Sequence, residues 1–499
     1  MTDIILTTLN SKYIHSAFGL RYLYANLGEL QARTLIDEFT IHERPLDIVE
    51  KLLEHQAKII GFSVYIWNVI EVGQCIKLLK QINPDIKIVI GGPEVSHLPD
   101  APDWIDVVDY TITGPGELQF KTLCTQLLNQ QTPLESVIAG IALPLEQLSM
   151  PYEFYNDTDI KNRIIYVEAS RGCPFKCEFC LSSLDKTSKS FSIELFLVEM
   201  DKLIARGANH FKFIDRTFNL KVKTTVAILD FFLQRLSPDM SIHFEVVPDK
   251  LPEKLREVLA KFPEHVLQFE IGVQTFDPEI QDLISRKQDN EKTCENLLWL
   301  RQNTAAHIHA DLIFGLPSDN LNNFAKSFDK LVALNPQEVQ LGILKRLRGA
   351  PINRHTEKYQ MVYNDNQPYN ILSTRDIDFY TMQRVTRFAR FWDMIGNSGR
   401  FAHTKKLIFA NSPFENFMKL SDNLYKTEGS SWKISLRRLF KLLYQQLIDV
   451  LNVDEGLAFS ALEKDFIHCN EKGTLAALIK VQTKQGKTGN RNKRQKQHG

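Results

Sequence analysis

Twice along this chain, short apolar runs alternate with amphipathic helical stretches, and that alternation restricts the fold more than any other feature. In the first series Ile4-Ile5-Leu6 reads as a strand, Leu20 to Leu30 as a helix, Ile59 to Tyr65 as a buried strand and Val69 to Ile82 as a helix. Ile88-Val89-Ile90 and Val107 to Thr113 follow as strands, and a helix opens at Glu117. Elements alternating at these lengths predict an α/β fold with a doubly wound parallel sheet over residues 1–131. Ligands of such sheets sit beyond the carboxyl ends of the strands, at glycine-rich turns. Ser63 to Asn68, Gly91 to Ser96 and Gly114-Pro115-Gly116-Glu117 are the candidate turns, although tight turning alone would also explain each.

From residue 132 to 162 the period is lost and Pro133, Pro144 and Pro151 appear, which predicts a linker with one short strand near Val137 to Ala142. The second series spans 163–352, with strands near Ile164–Glu168, Phe211–Ile214, Ile242–Val247, Val266–Ile271, His307–Phe314 and Val339–Ile343. Six strand–helix units predict a partial (β/α)6 parallel barrel, whose chemistry belongs at the C-terminal strand ends. No strand pattern follows residue 350, and residues 370–480 have a helical period, so a helical C-terminal domain is expected. Residues 481–499 form a basic tail, with Lys484, Lys487, Arg491, Lys493, Arg494 and Lys496 and no acid, and read as disordered.

A chain of 499 residues exceeds one core, and the length alone suggests about three domains. Acidic and basic residues balance at 60 each, so no net field draws the protein to polyanions, and nucleic acid is not an expected partner beyond weak contact by the tail. No apolar stretch is long enough to cross a bilayer, Met1-Thr2-Asp3 offers no basic signal head, and seven cysteines suit reduced thiols. A cytoplasmic protein without a membrane partner is the expectation.

Directly after the first barrel strand stands Arg171-Gly172-Cys173-Pro174-Phe175-Lys176-Cys177-Glu178-Phe179-Cys180. Thiolates at this spacing can converge on one soft metal centre from a single loop. None of Cys75, Cys124, Cys294 or Cys469 is near in sequence to supply a fourth ligand. One iron of a cluster held this way stays open to an amino and a carboxylate group. A zinc site completed by a distant histidine, or three unrelated core thiols, are the alternatives.

With Phe179 as its aromatic, Cys-x3-Cys-x-aromatic-Cys resembles the signature of the radical S-adenosylmethionine (SAM) superfamily, over about Arg163 to Pro351. The resemblance implies that Cys173, Cys177 and Cys180 hold a [4Fe-4S] cluster. The cluster would reduce bound SAM and release a 5′-deoxyadenosyl radical that takes hydrogen from a substrate. Gln274, Arg286 on the following helix and Asp311 on the fifth strand resemble the cofactor-binding set of the oxygen-independent coproporphyrinogen oxidase branch. They imply holds on the methionine carboxylate and the ribose hydroxyls, chemistry that suits a guanidinium fork, an amide and a carboxylate. Glu245 is a further candidate for that pocket, or else a solvated strand-end acid. Gly315-Leu316-Pro317 resembles the adenine-side turn. Where many members carry Gly-Gly-Glu, this chain has Ile214-Asp215-Arg216-Thr217-Phe218-Asn219. Asp215 could accept the methionine ammonium or simply cap the turn.

A doubly wound sheet ahead of such a barrel resembles the cobalamin-binding domain of cobalamin-dependent members. Gly61 to Tyr65, Gly91-Gly92-Pro93-Glu94 and Gly114 to Glu117 carry the likeness, and Gly91, Gly92 and Gly114 become candidate corrin-cradling residues. The Asp-x-His-x-x-Gly frame is missing, and His15, His42, His55 and His97 lie outside it, so a scaffold that only shapes a substrate cleft is the alternative. The C-terminal third resembles an uncharacterised helical domain found in some of these proteins. Arg346 and Arg348 could grip an anionic substrate or be a solvated loop face. Cys294 and Cys469 could be thiol acids but fit packing better, and His307 and His309 share a strand face with Asp311.

The expected function is a radical SAM enzyme, a transferase in which cobalamin supplies a methyl group to a small-molecule substrate. A low-potential donor such as flavodoxin or ferredoxin would supply electrons. A cobalamin-independent radical SAM oxidoreductase or cyclase is the alternative, followed by a cobalamin or redox sensor, which would need no methionine clamp. Methylthio transfer to transfer RNA fits badly, because Cys75 and Cys124 are too few for a second cysteine trio.

Overall fold

A computed structural model describes residues 2–480. The basic tail lies outside the described residues. The chain divides into two compact units at Met382/Gln383.

In the first unit, β1 (Ile4–Asn10), β2 (Thr34–Thr40), β3 (Ile59–Ser63), β4 (Lys87–Gly91), β5 (Tyr110–Thr113) and β6 (Val137–Ala139) form one sheet. All its pairings are parallel, in the order β2-β1-β3-β4-β5-β6. Because side chains alternate across a strand, Ile5, Leu9, Ile60, Ile88 and Ile90 enter one core. Ile4, Leu6, Ile59, Val89 and Ile112 enter the opposite one. Every residue of β1 is buried, as a strand covered on both faces requires. β1 pairs with both β2 and β3, so the chain reverses its direction of travel across the sheet there, and that reversal opens the crevice where doubly wound sheets bind ligands. The linker is more built than expected. β6 extends the sheet, and Tyr152, Tyr155 and Asp159 are buried, Asp159 accepting from Arg21 Nη2 at 2.6 Å.

β7 (Ile165–Val167) begins the second series, and the short antiparallel pair β8 (Ser170–Arg171) and β9 (Lys189–Ser190) follows it. Then come β10 (His210–Phe213), β11 (Ser241–Val246), β12 (Leu267–Gln274), β13 (His307–Phe314) and β14 (Glu338–Ile343). They form a second parallel sheet in the order β14-β13-β12-β11-β10-β7, curved as a barrel but unclosed, with β7 and β14 at its edges. Phe213, Phe244, Phe269 and Ile308 are buried on one face. The other face carries Tyr166, Lys212, His243, Glu270, His309 and Asp311. The lumen is therefore polar, unlike the branched-apolar filling of closed barrels. At Gly272/Gln274 the β12–β13 register slips by one residue, and Gln274 takes φ 69°. Such bulges re-aim a side chain at a strand end. A second difference from expectation is β15 (Val362–Tyr363) paired with β16 (Ile371–Ser373), too short to leave a periodic signal.

The second unit is helical. It contains Ala402–Phe409, Pro413–Glu428, Leu436–Asp449, Glu455–His468 and Leu475–Lys480. Phe417, Phe440, Leu443 and Phe466 fill its core. Asp465 accepts the N–H groups of His403 and Thr404 at 3.0 and 2.8 Å, placing a carboxylate at a helix N-terminus, where the backbone is electropositive.

Candidate active site

The cysteine loop is anchored before it reaches any ligand. β8 and β9 close its base, and Gly172 takes φ 87°, where a Cβ would strike the Thr187 carbonyl oxygen, so only glycine fits. Cys173 N–H donates to Asp185 O at 3.0 Å and Cys180 N–H to Cys177 O at 3.2 Å. Buried Glu178 holds the loop's middle. It accepts from Arg354 at 2.6 and 2.8 Å and from Ser285 Oγ at 2.6 Å, and lies 2.9 Å from His355 Nε2.

Cys173, Cys177, Phe179 and Cys180 face a cavity of about 240 Å³ together with Glu245, Gln274, Arg286 and Asp311. Arg286 Nη1 lies 3.6 Å from Cys177 Sγ. Burial pushes the Cys177 thiol up, and the guanidinium pulls against that shift. Arg286 also donates to Gly272 O and, from Nε and Nη2, to Gln288 Oε1 at 3.1 and 2.8 Å. Gln274 Oε1 and Asp311 Oδ1 are buried with no hydrogen-bond partner, and His309 Nε2, 3.4 Å from Asp311 Oδ1, makes none either. Burial, reinforced by Glu270 and Glu245, pushes Asp311 up to about 8. Buried orphaned acceptors are costly, and a ligand offering hydroxyl donors would satisfy them. Among the described residues no group of three Cys, His, Asp or Glu could hold a single metal ion. Three cysteines on one cavity wall do suit a cluster, in which each iron takes its own thiolate. The residues therefore fit an iron–sulfur cluster with SAM.

Three of the sequence candidates, Asp215, Arg346 and Arg348, stand elsewhere than the binding reading places them. Arg286 lines the cavity but is not on a helix, because Pro278–Leu283 ends before it and Asn290–Asn303 starts after it. Asp215 is not in the cavity: it is buried, accepting Ala169 N–H at 2.9 Å and Ser170 Oγ–H at 2.6 Å, and burial raises it to about 7. With both oxygens engaged it holds the turn after β7. Arg346 and Arg348 do not face the cavity either. Arg348 pairs with Glu94 and Asp100 and donates to the Tyr369 hydroxyl at 3.1 Å. Cys294 lies half-buried on the helix Asn290–Asn303.

A second, larger cavity of about 790 Å³ opens at the C-terminal ends of β1, β3, β4 and β5 and reaches β7 and β8. Gly91, Gly92 and Gly114 line it with Pro115 and Gly116. Gly92 has φ 111° and packs against the Val64 backbone, while a Cβ on Gly114 would stand in open space. Tyr65 and Trp67 stack on its wall, ring centroids 4.4 Å apart. Of the four histidines weighed earlier only His15 lines it, with Nδ1 2.7 Å from the Tyr166 hydroxyl. A broad cradle of glycines and aromatic rings fits a corrin held by its periphery. Sequence reasoning missed Arg171, whose Nη1 donates to Glu117 and whose Nε donates to Glu168, each at 2.8 Å. It also left Arg216 unassigned, although Arg216 Nη1 donates to Glu245 at 2.7 Å. Neither reach shows in local pattern.

The radical SAM superfamily model matches residues 167–331, and the B12 binding domain model matches residues 4–123. This chain carries a radical SAM domain and a B12-binding domain. Residues 357–498 match a family described as a protein of unknown function, DUF4080. An uncharacterized methyltransferase of Pyrococcus horikoshii is 23% identical, over 62% of this chain and 73% of its own. The cobalamin-dependent radical SAM methyltransferase TokK of Streptomyces tokunonensis is 22% identical, over 59% of this chain and 48% of its own. The solved structure of OxsB, a cobalamin-dependent SAM radical enzyme with aqua-cobalamin and SAM bound, superposes with a TM-score of 0.63 at 14% identity. It covers 95% of this chain and 83% of OxsB, and that likeness shows the shared fold.

Proposed function

We propose that this chain is a cobalamin-dependent radical SAM methyltransferase acting on a small molecule. The observation that carries the reading is the pairing of two cavities: one lined by three cysteines and orphaned buried acceptors, the other by the glycine and aromatic cradle. When bound, a four-iron cluster supplies the electron that splits SAM, and a methylated corrin supplies the transferred methyl group.

The chain's own residues do the placing. Cys173, Cys177 and Cys180 would ligate three irons, and the Glu178 contacts would keep that loop from shifting. Arg286 would pair with the methionine carboxylate, while Gln274 and Asp311 accept from ribose hydroxyls. Glu245, already paired with Arg216, would border the ribose. Gly91, Gly92 and Gly114 would let the corrin approach the backbone, and Tyr65 and Trp67 would exclude water from it. Radical SAM enzymes also need a reductant, which a flavodoxin or ferredoxin would provide here. Among the described residues no helix is long and apolar enough to cross a membrane.

The test is anaerobic reconstitution with iron, sulfide and cobalamin, then reduction with SAM present. Expected are a visible corrin spectrum in the purified protein and release of 5′-deoxyadenosine. Protein that retains no corrin while still cleaving SAM would refute the cobalamin part. Protein that takes up zinc alone would refute the whole.

A further inference from the structure

Arg216 is the one residue, among those described, that lines both cavities. It follows Asp215, whose buried bonds to Ala169 and Ser170 hold the turn in place. Its Nη1 donates to both Glu245 oxygens, at 2.7 and 2.9 Å, and 50% of its side-chain surface stays open. Its Nε and Nη2 meet no acceptor among the described residues. The other arginines on these walls are engaged: Arg171 by two carboxylates, Arg286 by Gly272 O and Gln288.

On the methyl-transfer reading, on which this inference rests, the reacting carbon must reach both cavities and so lies where they meet. We propose that Arg216 anchors an oxyanion group of the substrate, a carboxylate or a phosphate, at that junction. Glu245 orients the guanidinium plane and cancels much of its diffuse field. What remains is a directed edge of N–H donors, which selects a partner able to accept two parallel bonds.

Full-length protein loaded with cluster, cobalamin and SAM is titrated calorimetrically with acetate and, separately, with inorganic phosphate. At least one should bind with a Kd on the order of 1–10 mM, and which one does separates a carboxylate from a phosphate substrate. Arg216→Met should weaken that binding roughly tenfold or more. Arg216→Lys, a point charge without a fork, should keep phosphate better than acetate. The bound anion should also slow phenylglyoxal labelling of Arg216, followed by peptide mass spectrometry. The anchor is overturned if neither anion binds, if Arg216→Met binds as wild type does, or if saturating anion leaves the labelling rate unchanged. Corrin and cluster content come from the visible spectrum of the same sample. Failure to load them therefore counts against the function, and loaded protein with Arg216-independent anion binding counts against the anchor alone.

Discussion

Asp311 buries its carboxyl beside Glu270 and Glu245, and the resulting pKa of about 8 has a measurable sign. Below that value the group is mostly protonated, whereas the ionised form accepts from ribose hydroxyls more strongly. SAM binding should therefore release a proton near pH 7, and affinity should rise with pH and level off above about 8. Calorimetry in two buffers of different ionisation enthalpy would detect the release, and none at pH 7 would show that Asp311 does not ionise when SAM binds. A carboxyl raised on folding also loses stability as pH climbs from its ordinary value towards 8. Asp311→Asn should accordingly raise the melting temperature of cofactor-free protein at pH 8 while weakening SAM binding. Cys177→Ala is expected to keep a wild-type circular dichroism spectrum and to lose stoichiometric iron on reconstitution. The cysteines, singled out by a local motif, and Gln274 and Asp311, singled out by a resemblance, line one cavity in the structure. Arg216 and Arg171 were not singled out, because their meaning depends on Glu245 and Glu117, 29 and 54 positions away.

Among the elements, the cysteine loop depends on a neighbour that no spacing rule indicates. Glu178 lies between two of the thiols and receives Arg354, His355 and Ser285. Glu178→Ala would strand those donors, an expected loss of about 2–3 kcal/mol in urea unfolding, together with reduced iron retention at equal protein concentration. Equal stability and equal iron would show the clamp to be idle. Strands buried on both faces, such as β3 and β4, announced themselves as continuous apolar runs. β2 did not. It is an edge strand, only Phe39 of its residues is buried, and Asp37 and Glu38 break the run. The bulge at Gly272/Gln274 was equally silent, since a one-residue slip depends on the partner strand.

Across the first unit, guanidinium groups link the two sheets, Arg348 through Glu94 and Arg171 through Glu117. Arg171, just past β7, joins Glu117 at the head of the helix after β5 to Glu168. Arg171→Met would leave two poorly solvated carboxylates without a cation, an expected cost of about 3 kcal/mol, measured as a drop in the urea midpoint. Gly114→Leu should fill part of the larger cavity and cut corrin retention at least severalfold, while iron content stays at the wild-type level. Unchanged retention would show that the corrin lies elsewhere. The alternation of elements made both sheets legible; what stayed hidden was how closely they are joined, because interdomain bonds leave no period in a sequence. The curved sheet also stops two staves short of a full ring, β7 and β14 never meeting. A complete ring admits a guest only through its rim, so the guest must be small enough to pass. Here, among the described residues, no hydrogen bonds join the two edges, and side chains from the first sheet's loops meet them instead, His15 at Tyr166 of β7 and Glu94 at Arg348 beyond β14.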